Sequence, residues 1–131
     1  MISHVEYGKE LNSFSYNMKD ISPSSFKIQD ETHKRVLVSK LYYALFHRIM
    51  EELPFLQGLS GPGQHKTIKE TLQKQANKST TNRNLLYLFN DLKSLREWAD
   101  YEVFTSPPPT NMNSLYQKTF TTINSPKLIF I

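Results

Sequence analysis

The stretch from Asn82 to Val103 constrains this chain more than any other. Leu85, Leu88, Phe89, Leu92, Leu95 and Ala99 follow a 3, 1, 3, 3, 4 spacing, which is one apolar stripe along an α-helix. The Pro107–Pro109 run ends the pattern. A second stripe lies upstream. The acidic run Asp30, Glu31, Thr32 favours a helix N-terminus, and the helix is expected to stop before Pro54. Between them Leu37, Leu41, Ala44, Leu45 and Ile49 recur at helical spacing, flanked by Val38 and Tyr42. So wide an apolar face suits a central bundle helix, and the two stripes are expected to cover one another.

Three weaker segments complete the pattern. Val5 to Met18 is weakly amphipathic and ends before the turn-rich SPSS at Ser22 to Ser25. LSGPGQ, Leu59 to Gln64, reads as a loop around Gly61, Pro62 and Gly63. A third helix then runs from about Gln64 to Gln75. Ile68, Leu72 and Ala76 are its apolar marks, which place it on the outside. NKSTTN, Asn77 to Asn82, is a polar connection with cap candidates. An irregular C-terminal tail is expected from about residue 105, with a short fifth helix around Met112 to Ile123 and the apolar end PKLIFI. No internal repeat or hairpin pattern is present. The expected fold is all-α, a single domain over residues 1–131, an up-and-down helical bundle of four to five helices.

At 131 residues the chain has the size of one domain, and 38% hydrophobic content supplies a core. No apolar run approaches the ~20 residues of a membrane span. The start MISHVEYGKELNSF lacks a secretory pattern, and there is no cysteine. The expectation is a cytoplasmic protein without membrane, metal or cofactor partners. Lys66, Lys69, Lys74, Lys78 and Arg83 face the single acid Glu70, so this segment carries the whole formal net charge of +4. Such a patch suits a phosphate-bearing partner such as RNA. The plainer reading is a solvated lysine-rich helix face.

Two arginines interrupt the stripes. Arg96 projects about 20° from Leu85 and Phe89, and Arg48 about 20° from Leu37 and Leu41. A guanidinium on a core-facing side needs partners. Asp100 is placed to pair with Arg96 along the helix, and Glu51, Glu52 or Asp91 with Arg48. Either these are half-buried ion pairs, or they line a cleft or dimer seam that receives a phosphate.

Of the four histidines, His4 and His33 stand out in no way. His47, on the flank of the core face beside Arg48, reads as packing. His65 opens a helix, where it caps or contacts a phosphate with Lys66 and Lys69. No metal-ligand spacing occurs, and GLSGPG lacks the Gly-Lys-Ser/Thr ending of a phosphate loop.

SKLYYALFHRIMEEL, GQHKTIKETL and LKSLREWADYEV together resemble small stand-alone members of the HEPN superfamily (higher eukaryotes and prokaryotes nucleotide-binding). The resemblance rests on Tyr42, Tyr43, Ala44, Phe46 and His47, then His65, then Arg96, Ala99, Asp100 and Tyr101, across roughly Val36 to Val103. It implies a helical bundle that commonly dimerises and an RNA-linked role, often as a metal-independent ribonuclease of toxin–antitoxin and antiviral systems. The family's active pattern is Arg, four to six residues, then His. Here Tyr101 stands at that place, and no histidine follows Arg96. A tyrosine, with pKa near ~10, is a poor base, while an arginine still stabilises phosphorane charge.

Two expectations follow from the resemblance. In one the chain is a ribonuclease or ribonuclease-derived RNA-binding domain, with Arg96 on the phosphate, Asp100 and Tyr101 orienting it, and Lys66, Lys69, Lys74, Lys78 and Arg83 steering the backbone. In the other it is a catalytically inactive accessory subunit, a homodimer or a module docked on a larger ribonucleoprotein or nucleotidyltransferase. CRISPR or other defence genes beside it would favour that second role.

Overall fold

The computed structural model describes residues 4–26, 30–53, 62–102, 105–106 and 111–129. Five α-helices form among them: α1 His4–Met18, α2 Asp30–Glu52, α3 Pro62–Gln75, α4 Thr80–Tyr101 and α5 Met112–Ile123. There is no strand among the described residues. The fold is the all-α bundle that the two stripes require. Pro54, Gly61, Val103 and Pro107–Pro109, used above as boundary marks, lie outside the described residues, as do the last two residues.

The two stripes meet as expected. Leu37, Leu41, Leu45 and Ile49 of α2 share one buried cluster with Leu85, Phe89, Leu92 and Leu95 of α4. Ile68 and Leu72 join it as the apolar edge of the outer helix α3. On the other flank α1 packs closely on α2 at Gly8. A Cβ there would lie 2.9 Å from the Ala44 carbonyl oxygen, so glycine lets the helices approach.

One expectation is corrected. Pro62 and Gly63 belong to the first turn of α3, not to the preceding loop. Proline suits this place because its fixed φ is already helical and its missing N–H has no helical partner. The polar connection behaves as its residues suggest. Ser79 caps α4 by accepting from the Asn82 N–H at 3.0 Å, and the buried Asn82 side chain donates to Gln75 O at 2.9 Å. Asn111 caps α5 in the same way.

The chain after α5 is irregular but docked. Leu128 and Ile129 are buried in the core. Glu52 accepts both their backbone N–H groups, at 2.7 and 3.2 Å. Two polar residues that the sequence did not mark also hold the bundle. The buried His33 bonds to Met18 O at 3.0 Å, closing the C-terminal end of α1. Arg35 donates to Trp98 O at 2.6 Å, Ala99 O at 3.2 Å and Glu102 O at 3.0 Å, so a cation sits on the negative end of α4.

Candidate functional site

Arg96 lies near the C-terminal end of α4, where α2 and the first turn of α3 come together. Its Nη2 donates to the Tyr43 hydroxyl at 2.8 Å and to the Tyr101 hydroxyl at 3.1 Å. The Nε lies 3.0 Å from Asp100 Oδ2, but its N–H is not aimed at that oxygen, so this pairing is Coulombic rather than a formed hydrogen bond. Ser39 approaches the same carboxylate oxygen at 3.4 Å. Three tyrosine rings border the guanidinium carbon, at 5.6 Å for Tyr42, 5.4 Å for Tyr43 and 5.1 Å for Tyr101. Burial works against the charge on Arg96. Tyr43, Tyr101 and Asp100 more than offset it, so its pKa is raised and the cation persists.

His65 joins from α3. Its ring stacks on Phe46 at 4.6 Å and on Tyr42 at 5.6 Å, and its Nδ1 shares a 2.5 Å hydrogen bond with the Tyr42 hydroxyl. Tyr42 has no exposed surface. Burial pushes its pKa up despite the opposing field of Arg96, so the hydroxyl keeps its proton. His65 is the hydroxyl's hydrogen-bond partner among the described residues, so the proton points at Nδ1. The ring's own hydrogen is then on Nε2. Burial also lowers the His65 pKa, and the Arg96 and Lys93 cations lower it further, so the imidazole is neutral.

The fold therefore brings Arg96, Asp100, Tyr101 and His65 into one cluster. The other marked residues are distributed differently. Lys66, Lys74, Lys78 and Arg83 are exposed and Lys69 is half-buried. They run from the His65 end of α3 to the first turn of α4, about 20 Å of helix. Lys66 approaches Glu70 at 4.0 Å, a loose pairing of two exposed groups. His47 packs edge-on against Tyr7 at 4.6 Å and against Phe46 at 5.3 Å. Arg48 is held by Glu52 at 3.1 Å and by the carbonyls of Ile123, Ser125 and Pro126.

Residues to which sequence analysis assigned no site role complete the cluster. Tyr42 and Tyr43 carry the bonds behind His65 and Arg96, and Lys93 and Glu97 form an ion pair at 3.7 Å whose charges reach His65 and Tyr42. The i, i+3 step from Lys93 to Arg96 was the available signal for Lys93. A separate groove of about 570 Å³ lies between α4, α5 and the tail, bordered by Tyr87, Asp91, Lys118 and Lys127. No residue of the Arg96 cluster lines it.

Among the described residues no group of His, Asp and Glu is arranged to hold a metal ion, and no helix is long and apolar enough to cross a membrane. No family model, no curated protein and no solved structure matches the chain.

Proposed function

We propose that this chain is an RNA-binding helical domain that holds its ligand at Arg96 without cleaving it. The carrying observation is the Arg96 cluster itself: a persistent cation held by the hydroxyls of Tyr43 and Tyr101, the second of which is 69% exposed. A fixed guanidinium next to an exposed ring is the usual equipment for single-stranded nucleic acid. The exposed lysines of α3 add a salt-sensitive attraction to the phosphate backbone. The resemblance to HEPN proteins supports the same reading, and with it a place in a prokaryotic defence or toxin–antitoxin system.

Binding is favoured over cleavage by the state of His65. Attack by a 2′-hydroxyl needs a proton acceptor. His65 is the histidine beside Arg96, and its Nδ1 is already occupied by the Tyr42 proton while Nε2 carries the ring hydrogen. The accessory-subunit reading has one observation in its favour. Tyr7 and Phe14, seven residues apart on one face of α1, are 40% and 52% exposed, apolar surface that a protein partner would cover.

Fluorescence anisotropy with labelled single-stranded RNA tests the proposal, with gel analysis of the same RNA for cleavage. Binding that weakens steeply with salt and is lost in Lys66→Glu/Lys69→Glu/Lys74→Glu is expected, with the RNA intact. Absence of binding at low salt overturns the reading. Cleavage that disappears in Tyr101→Phe or His65→Gln reinstates a ribonuclease.

A further inference from the structure

The hydrogen-bond inventory of the cluster leaves two donors open. Arg96 spends Nη2 on Tyr43 and Tyr101 and sets Nε beside Asp100, whereas Nη1 has no partner among the described residues and is not buried by them. His65 gives Nδ1 to Tyr42, and Nε2 likewise has no partner among the described residues and is not buried by them. Both groups border the same two rings. The Arg96 guanidinium carbon is 5.6 Å from the Tyr42 centroid and 5.4 Å from that of Tyr43, and the His65 ring is 5.6 and 6.4 Å from them.

The charge balance at this place is unusual for a phosphate seat. Asp100 at 3.0 Å matches Arg96, Glu97 at 3.7 Å matches Lys93, and His65 is neutral. The cluster has directed donors and no net charge, while the excess of lysine over acid lies on α3. An anion gains little from such a balance. A neutral base edge that presents two acceptors side by side loses nothing by it. Among the major-groove edges of the bases only guanine offers that pair, N7 and O6. Adenine sets a donor beside N7, cytosine presents a donor, and uracil has a single carbonyl there.

We propose that Arg96 Nη1 and His65 Nε2 read the N7/O6 edge of an unstacked guanine in single-stranded RNA, with the base packed against the exposed Tyr101 ring. This deepens the RNA-binding reading and rests on it. The lysines of α3 hold the backbone, and the cluster selects the base. Arg96 is then a specificity residue more than a phosphate contact.

The test uses the wild-type chain and a series of uridine oligonucleotides that differ at one central position. Guanosine, inosine, 7-deazaguanosine and adenosine are compared by anisotropy. Inosine keeps both acceptors and is expected to match guanosine. 7-Deazaguanosine loses N7 and adenosine reverses the O6 position, and both are expected to bind about tenfold more weakly. Arg96→Met, checked for folding by circular dichroism, is expected to erase the preference while leaving salt-sensitive binding through α3. Equal binding of all four oligonucleotides overturns the base assignment and leaves the RNA-binding reading standing. Weak binding of inosine overturns the choice of edge. Free GMP that binds as tightly as the guanosine oligonucleotide overturns the assignment to RNA. Absence of binding by every oligonucleotide removes both readings together.

Discussion

Arg48 on α2 and Arg96 on α4 begin from the same local design. Each lies on the apolar stripe of a central helix, with an acid four residues later that pairs with it, Glu52 at 3.1 Å and Asp100 at 3.0 Å. Their surroundings then diverge. Arg48 is 6% exposed and turns its remaining donors on the carbonyls of Ile123, Ser125 and Pro126, while Glu52 grips the Leu128 and Ile129 N–H groups. That region is a closed latch holding the chain's end on α2. Arg96 bonds to the half-buried Tyr43 hydroxyl and to the exposed Tyr101 hydroxyl, and its Nη1 has no partner among the described residues. The contrast is in the nitrogens: each one of Arg48 faces an acceptor, whereas Nη1 of Arg96 faces none among the described residues.

Replacing both arginines by methionine, which keeps volume and removes charge, tests this contrast directly. Arg48→Met strands the Glu52 carboxylate in a partly buried place and frees three carbonyls, so a loss of about 3–5 kcal/mol is expected in denaturant unfolding. A loss under about 1 kcal/mol would show that the latch is not what holds the tail, and the contrast would collapse. For Arg96→Met the expected loss is about 1 kcal/mol, because the pair is partly solvated and the tyrosine hydroxyls can turn to water. In that variant the guanosine preference should be lost while the salt-sensitive binding through α3 remains. Should Arg96→Met unfold as Arg48→Met does, both arginines are structural.

The smallest expected effect sharpens the open side of the comparison. His65 has a lowered pKa in the folded chain, so between the unfolded value near ~6.5 and the folded value only the unfolded chain takes up the proton. Stability from His65 is complete above that upper value and declines as the pH falls toward the folded pKa. His65→Gln should flatten this part of the stability–pH curve measured by denaturant unfolding at pH 7.5 and pH 5. An unchanged slope would mean that His65 is not held neutral by its surroundings.

Much of this molecule was legible from residue order alone. The stripes of α2 and α4 located the core, and α5 runs over Met112–Ile123 as its pattern indicates. Arg96 with Asp100 is a four-residue pairing readable on any helix, and Glu52 was one of three candidates for Arg48. The start of α3 was misplaced because Gly-Pro-Gly marks a turn and a helix N-terminus with the same residues. Trp98 shows a different kind of gap. It lies off the stripe that ends in Ala99, yet it is 1% exposed, because Arg35 stacks over its ring at 4.1 Å and Thr105 O accepts its indole N–H.

While it left Glu51, Glu52 and Asp91 open as partners for Arg48, residue spacing by itself determined the helices of the two central stripes, the faces they bury and the Arg96–Asp100 pair. These depend on a period of 3.6 residues and on contacts within a turn. Only the tertiary structure decided that Tyr42 and Tyr43 back His65 and Arg96, that Arg35 closes α4, and that the chain's end completes the latch on Arg48 and Glu52. Each of these joins groups from different helices, and Arg35 and Arg48 meet partners more than 60 positions away. The crossing of packed helices sets which side chains meet at such separations. The same packing set an acceptor beside every guanidinium nitrogen of Arg48 and left Nη1 of Arg96 without one among the described residues.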